Sequence, residues 1–356
     1  MEAYTLLERI GAGSFSTVWR AREAATGRVL AIKELTAASD WAAVQRMPEV
    51  LASRALPAHE GLLRLHAVHR LGGRVFLVMD HCAGSLLDAL ARRAAAGAPG
   101  LAEAEARFVA RRMLRALAAL HAAGYAHRDV KPENVLLVAG GAGGARPVLA
   151  DFGQVRALGD GGALTPYVST RWYRAPEVLL HASGYAAAVD MWAIGVIIAE
   201  AYRLQPLFPG NTTIDQLDRI AAVLGRPTED ALDGAQAWPY GCELVRRHEQ
   251  IHSQRFPRCD PIPIAQIVPH ATADGLDLVV SLLRWDPARR LTAQQALRHP
   301  FVSSKLMSSL WLVSLRLRTA LLRWALRSRS RPQSRNHTTR KPSVTGELPK
   351  HGTSPS

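Results

Sequence analysis

The segment His127–Asn134 carries three side chains with complementary chemistry. Asp129 supplies a carboxylate, Lys131 an ammonium group and Asn134 an amide, all within six positions. The segment follows a long helical pattern and precedes the apolar residues 135–138, so we expect a loop between a helix and a strand. Transfer of a phosphoryl group from ATP needs this set: a carboxylate to orient the attacking hydroxyl, a cation for the moving phosphoryl group and a ligand for magnesium. The alternative is a charged surface loop, and other elements of the chain decide between the two.

Two more charged groups stand at the ends of predicted strands. Residues 148–150 form a short apolar strand that ends in Asp151-Phe152-Gly153. A carboxylate at that position could bind a cation that bridges the β- and γ-phosphates. Residues 29–33 form another apolar strand, which ends in Lys33. A lone lysine among apolar neighbours is costly unless it has a partner.

A glycine turn lies between two short predicted strands near the start of the chain. Glycine has no Cβ, so backbone N–H groups in such a turn can approach phosphate oxygens closely. Alone this is weak evidence, because most such turns are plain hairpins. The residues predicted to bind nucleotide here are Ile10, Gly11, Ala12, Gly13, Ser14, Phe15, Ser16, Thr17 and Val18.

Together these motifs resemble the eukaryotic protein kinases of the CMGC group over residues 4–302. The resemblance rests on H-R-D-V-K-P-E-N, V-L-A-I-K, D-F-G, S-T-R-W-Y-R-A-P-E and L-Q-P-L-F-P-G. Within the group, the chain is most similar to male germ cell-associated kinase, intestinal cell kinase and MAPK/MAK/MRK-overlapping kinase. The resemblance implies an α+β bilobal fold, with a small β-rich N-lobe over 4–80 and a helical C-lobe over 83–302. It also implies serine/threonine kinase activity with ATP and Mg2+, and a role in control of the length of cilia and flagella.

The resemblance assigns roles to single residues. Asp129 would position the substrate hydroxyl and Lys131 would stabilise the transferred phosphoryl group, while Asn134 and Asp151 would hold the metal. Lys33 would contact the α- and β-phosphates and pair with Glu49 on the next helix. Glu60 would be the fallback partner of Lys33. In the nucleotide pocket, the backbone of Asp80 and Cys82 would contact adenine and Met79 would lie at the back. Two roles would be structural: Asp190 would brace the catalytic loop, and Arg290 would pair with Glu177.

Two positions depart from the usual kinase pattern. Ser16 stands where a third glycine is common, although one CMGC subgroup also has serine there. Pro48 precedes Glu49 inside the helical pattern of residues 41–51, where proline removes a hydrogen bond. The helix therefore either begins near Pro48 or is mobile.

Residues 151–177 resemble an activation segment. Thr165-Pro166-Tyr167 is similar to a dual phosphorylation site, which implies an upstream kinase. Pro166 stands where the family usually has an acidic residue. The predicted partners of the phosphate are Arg128, Arg156 and Arg46. Arg174 would favour proline or a small residue after the phosphorylated Ser or Thr. The alternative is that Thr165 and Tyr167 are ordinary polar residues of a loop.

The end of the chain is strongly basic. Eleven Lys or Arg and one acid follow residue 302, and they account for most of the net charge of +14. Residues 303–327 read as a basic amphipathic helix whose arginines argue against a transmembrane span, and 328–356 as a disordered tail. The functional interpretation is binding to an acidic membrane surface or an acidic protein, and the alternative is a helix packed on the kinase lobe or an unstructured extension. Ser334, after Arg331-Pro332-Gln333, is a candidate autophosphorylation site.

Composition sets the remaining expectations. Three distant cysteines indicate a reducing compartment without disulfides or a zinc site, and no secretory pattern occurs at the N-terminus. We expect a cytoplasmic monomer that acts on protein substrates, with cilium, flagellum or nucleus as further locations. A pseudokinase scaffold is the rival interpretation. A nucleic-acid-binding protein is disfavoured, because the arginines lie in one tail without an aromatic platform.

Overall fold

The computed structural model describes residues 3–13, 16–35, 41–56, 58–140, 144–159, 170–182, 187–229, 237–257 and 259–304, except the side chains of residues 48, 49 and 55. Several sequence-based expectations fall outside this part of the chain: those on Ser14, Phe15, Thr165 and Tyr167, on the Glu49 side chain, and on the whole segment 305–356.

An antiparallel five-stranded sheet forms the N-lobe, in the order β1-β2-β3-β5-β4. Its strands are β1 (Tyr4–Gly13), β2 (Ser16–Glu23), β3 (Val29–Leu35), β4 (Leu65–Leu71) and β5 (Arg74–Asp80). The central strands β3 and β5 carry the buried apolar side chains, Ile32 and Val78 among them, as expected for strands covered on both faces. In the β1–β2 hairpin Gly11 pairs with Val18 and Gly13 with Ser16, so the glycine turn lies at the tip of the sheet.

Two short helices follow the third strand: α1 (Trp41–Gln45) and α2 (Pro48–Ala55). Pro48 occupies the first turn of α2, where its missing N–H would have had no partner in the helix. Of the two alternatives drawn from the sequence, the structure therefore favours a helix that begins at Pro48. Residues 41–51 thus form parts of two short helices that are separated around Met47.

The C-lobe is mostly helical around one apolar core. Its helices are α3 (Leu86–Ala95), α4 (Glu103–Ala122), α5 (Pro176–Leu179), α6 (Ala188–Arg203), α7 (Thr213–Leu224), α8 (Pro239–His252), α9 (Ile264–Ile267), α10 (Ala273–Leu282), α11 (Ala293–Arg298) and α12 (Pro300–Ser303). Helix α6 is apolar on all sides and almost wholly buried, which is the pattern of a central core helix. None of the helices among the described residues combines the length and the apolar character that a membrane span requires.

Short strands join the two lobes. Strands β6 (Cys82–Ser85), β8 (Val135–Gly140) and β9 (Gly144–Leu149) form one small sheet, and β7 (Tyr125–Ala126) pairs with β10 (Arg156–Ala157). Leu62, which precedes β4, forms a parallel bridge with Leu149 at the end of β9. Leu63 N donates to Leu149 O at 2.8 Å, and Leu149 N donates to Gly61 O at 2.8 Å. The expected α+β bilobal fold is confirmed, and the strand before Asp151 is tied to both lobes.

A buried ion pair closes the C-lobe, as the resemblance implied. Arg290 Nη1 donates to Glu177 Oε1 at 2.5 Å and Nη2 to Oε2 at 2.7 Å. Both side chains are almost fully buried. A bidentate pair of this kind fixes the start of α5 relative to the segment between α10 and α11.

Candidate active site

The three side chains of the predicted catalytic loop are in contact. Lys131 Nζ donates to Asp129 Oδ2 at 2.8 Å. Asn134 Nδ2 donates to the Asp129 backbone oxygen at 2.8 Å and to Asp129 Oδ2 at 3.0 Å. These contacts fix the Asp129 carboxylate and leave the Asn134 carbonyl oxygen as the end of the amide that can accept a cation.

Asp190, on α6, holds this loop from beneath. Its carboxylate accepts from the backbone N–H of His127 at 2.9 Å and of Arg128 at 2.7 Å, and lies 2.8 Å from His121 Nε2. Burial alone would raise the pKa of Asp190, but the hydrogen bond and charge of His121, together with His127, lower it. Arg128 has a φ of 68°, a left-handed conformation that costs a residue with a Cβ free energy. The buried carboxylate stabilises that conformation.

His127 connects the loop to the strand that delivers Asp151. The imidazole is fully buried, and its Nε2 lies 3.0 Å from Ala150 O. Its ring packs edge-on against Phe152, with 5.7 Å between the ring centroids. Burial lowers the pKa of His127, so the ring is neutral at pH 7 and acts as a structural spacer.

A single cleft of about 1160 Å³ brings the remaining predicted residues together. Asp151 is exposed, has a φ of 62°, and its Oδ1 accepts from Gly153 N at 3.4 Å. Lys33, on the central strand β3, lines the same cleft as Asn134 and Asp151. The predicted nucleotide-contacting residues that line it are Ile10, Gly11, Val18, Lys33, Asp80 and Cys82. Ala12, Gly13, Ser16 and Thr17 lie at the tip of the β1–β2 hairpin and do not line it.

The side chain of Asp80, at the hinge between the lobes, is bound by two basic neighbours. Asp80 Oδ1 lies 2.6 Å from Arg28 Nη2 and 2.8 Å from His66 Nε2. Met79 also lines the cleft. Burial and the neighbouring Asp80 raise the pKa of Cys82 to about 12, so its thiol stays protonated at neutral pH.

The predicted partner of Lys33 is placed only in part. The backbone of Glu49 lies in the first turn of α2, and its side chain is outside the described residues. The fallback, Glu60, lies in a turn, where Arg112 Nη1 at 2.9 Å and Arg115 Nη1 at 3.3 Å contact its Oε1. Glu60 is thus engaged by α4.

Arg174 lies beside Asp129, the predicted catalytic carboxylate. It lines a small hollow together with Asp129, Thr170 and Tyr173. Burial, and then the charge of Arg171, lower the pKa of Arg174. The side chain that is predicted to select substrates therefore lies in the same hollow as the group predicted to meet the attacking hydroxyl.

Two glutamates near the site escaped the sequence analysis. Glu133 Oε2 is buried and has no hydrogen-bond partner among the described residues. Glu200, on α6, accepts from Tyr173 Oη at 2.7 Å. Burial, followed by the charge of Glu133, raises the pKa of Glu200 to about 7. The available signal was a glutamate in the apolar run that follows Asp190 on α6.

These residues fit a magnesium-bound nucleotide. Among the described residues no group of three or more His, Cys, Asp or Glu could hold a metal ion by itself. The Asp151 carboxylate and the Asn134 carbonyl oxygen supply two hard oxygen ligands. Mg2+ typically takes one or two protein oxygens and completes its shell with phosphate oxygens and water. Metal and triphosphate are thus expected to bind together.

Comparisons with known proteins agree with this geometry. A family model described as protein kinase domain matches residues 4–302. The chain is 38% identical over 302 residues to Cyclin-dependent kinase F-3 of Oryza sativa subsp. japonica, which covers 85% of this chain and 65% of the rice protein.

Two mammalian proteins are similar as well. The chain is 34% identical over 302 residues to Serine/threonine-protein kinase MAK of Mus musculus, with 85% of this chain and 46% of MAK covered. Serine/threonine-protein kinase ICK of Rattus norvegicus is 34% identical over 302 residues, with coverages of 85% and 45%. This chain thus spans between about half and two thirds of the length of these relatives. It belongs to the protein kinase domain family, within its CMGC group.

Proposed function

We propose that this chain is a serine/threonine protein kinase of the MAK/ICK type. The proposal is carried by one observation: Lys33, Asn134 and Asp151, which lie 118 positions apart at their extremes, line one cleft. ATP and Mg2+ are the cofactors of this family, and the expectation of these cofactors is confirmed at the level of the family.

The residues act mainly by position and charge. Asp129 accepts the proton of a substrate serine or threonine as its oxygen bonds to the γ-phosphorus and the bond to the β-phosphate oxygen breaks. Lys131, already 2.8 Å from Asp129, stabilises charge on the transferred group. Lys33 orients the α- and β-phosphates, and Glu49 is proposed to orient Lys33. When it is bound, Mg2+ neutralises the β- and γ-phosphate oxygens.

The hollow beside Asp129 supports a preference in the substrate. Arg174 and the backbone around it favour proline or a small residue directly after the phosphorylated residue. Glu133 and Glu200 place two carboxylates near the catalytic loop, and one buried oxygen of Glu133 has no partner among the described residues. The negative charge of these carboxylates would attract a positively charged side chain of the substrate, so we expect basic residues to be favoured before the acceptor.

Activation by phosphorylation is part of the proposal. Phosphate on Thr165 and Tyr167, added by an upstream kinase, would add negative charge that arginines such as Arg128 and Arg156 can bind. If activity on a peptide is unchanged in the Thr165→Ala/Tyr167→Phe variant, this element is wrong. A role in cilium or flagellum length control, and binding of an acidic membrane or protein by residues 303–327, are further expectations drawn from resemblance and charge.

In-vitro phosphorylation tests the central proposal. Wild type, Asp129→Asn and the control Asp277→Asn are incubated with Mg-ATP and a basic peptide that contains Ser-Pro. The side chain of Asp277 is 70% exposed and lies 2.9 Å from His299 Nε2, so its variant should match wild type. We expect Asp129→Asn to lose about 10³-fold in rate or more while it still binds ATP. Nucleotide binding without turnover in wild type would favour a pseudokinase scaffold.

A further inference from the structure

A group of charged side chains surrounds the link between α2 and β4. We call the group Glu60, Arg112, Arg115 and Arg146 the Glu60 cluster. Arg112 and Arg115 both contact Glu60 Oε1. Arg112 Nη2 also donates to Glu60 O at 2.6 Å, and Arg146 Nη1 approaches the same oxygen at 3.4 Å. Two guanidinium groups therefore share the Glu60 carboxylate, and a third lies against the backbone oxygen of the same residue.

This charge is not balanced within the cluster. The nearby His59 does not add to it, because burial lowers its pKa and the ring is neutral at pH 7. Arg115 has 46% of its side chain exposed and Glu60 has 52%. Arg112 is 91% buried by its residue surface, and its buried Nε has no hydrogen-bond partner among the described residues. A second anion would relieve the repulsion between the guanidinium groups.

The cluster also adjoins the nucleotide cleft. His59, Glu60, Arg64 and Arg146 belong to the lining of the same cavity as Lys33. Apolar Leu62 and Leu63 line it beside them. A basic rim beside an apolar floor suits a peptide with acidic and apolar side chains better than a free ion.

The link that carries Glu60 is tightly fixed. A Cβ added at Gly61 would lie 3.0 Å from Ala116 Cβ and 3.2 Å from Arg112 O, so the link lies directly on α4. It follows α2, the helix that carries Glu49, after a few residues. An occupant of the cluster would thus lie next to an element of the active site.

We propose that the Glu60 cluster is a docking site for an acidic segment of a protein partner, whose carboxylates bind Arg115 and Arg146. The chain's own residues beyond 302 are excluded as the occupant by charge, because they carry eleven Lys or Arg and one acid. The proposal does not depend on catalytic activity, so it can fail or succeed independently of the kinase assignment.

Hydrogen–deuterium exchange of the full chain tests the proposal, because it locates binding and is not confused by the basic tail. The probe is a capped oligo-glutamate peptide, with oligo-glutamine of the same length as its neutral counterpart. At a peptide concentration of ten times Kd we expect exchange in residues 58–64 and 111–117 to slow about tenfold. Oligo-glutamine should give no protection.

Variants separate the cluster from general charge attraction. Arg115→Glu/Arg146→Glu should lose the protection. Arg115→Gln/Arg146→Gln should also lose it, and this milder variant serves as the test if the first one folds poorly. Arg247→Glu/Arg255→Glu changes charge equally at exposed positions on and after α8 and should keep it. Protection only outside the cluster, or protection that survives both cluster variants, would overturn the proposal. Protection by inorganic phosphate but not by the peptide would also overturn it, in favour of a small-anion site.

Discussion

Replacement of Asp190 by asparagine tests how the catalytic loop is held. In the wild type, Oδ1 accepts from Arg128 N, and Oδ2 accepts from His127 N and lies beside His121 Nε2. Asparagine turns one of these oxygens into an NH2 group. In either orientation of the amide, one buried backbone N–H then faces another donor.

The magnitude follows from these contacts. An unsatisfied buried donor costs about 1–3 kcal/mol, and the loss of charge weakens the remaining bond by roughly 1 kcal/mol. We therefore expect Asp190→Asn to lower the free energy of unfolding by about 3 kcal/mol, measured by urea denaturation. Arg128 can then leave its left-handed conformation, which displaces Asp129. A displacement of about 1 Å costs on the order of 100-fold in kcat, while KM for ATP should change little because Lys33 is untouched.

Asp215→Asn is the matched control. This carboxylate also accepts a backbone N–H, from Asn211 at 2.8 Å, and contacts Arg219. Its side chain is 33% exposed, so water can replace the lost bonds. If Asp190→Asn and Asp215→Asn have the same stability and the same kcat, then the argument that Asp190 positions the loop is wrong.

Three other perturbations give separate tests. Because the pKa of Glu200 is raised to about 7, its carboxyl is mostly neutral below that pH, and kcat/KM for a peptide with arginine before the acceptor should fall about tenfold between pH 8 and pH 6. Glu200→Gln should remove this pH dependence. Identical pH profiles for wild type and Glu200→Gln would contradict the role given to Glu200. With a pKa of about 12 for Cys82, iodoacetamide at pH 8 should modify the exposed Cys259 at least about 100-fold faster, as measured by peptide mass spectrometry; equal rates would show that the Cys82 thiol is accessible and ionised. Arg290→Met leaves a buried carboxylate without its partner and should lower the free energy of unfolding by about 3–5 kcal/mol; a loss below about 1 kcal/mol in urea denaturation would refute the structural importance of the pair.

The sequence predicted the site best where the reacting groups are close together in the chain. Asp129, Lys131 and Asn134 lie within one turn-rich segment, so their spacing alone indicates that they meet. Proline at the first turn of a helix is a local rule, and it explains why Pro48 could be read as a helix start. That rule did not by itself decide between a helix that begins near Pro48 and a mobile one, and the structure separates α1 from α2 at this point.

Contacts between distant segments could not be predicted where the resemblance supplied no role for the residues. Tyr173 and Glu200 meet only because the segment around Tyr173 packs against α6, and their spacing of 27 positions does not predict this contact. The engagement of Glu60 by α4 has the same origin: an exposed glutamate in a turn carries no sign of which arginines lie across from it. The strands on either side of the glycine turn could be predicted from local sequence, whereas such charge partners depend on the tertiary packing.

The parallel bridge between Leu62 and Leu149 has a mechanical consequence. The chain crosses between lobes at His81, and the bridge adds a second attachment through main-chain hydrogen bonds. A body that is attached at two points rotates freely only about the line through both. We therefore expect the nucleotide cleft to open and close by a hinge rotation of the lobes about the axis from His81 to Leu62. The bridge should resist rotation of the lobes about other axes.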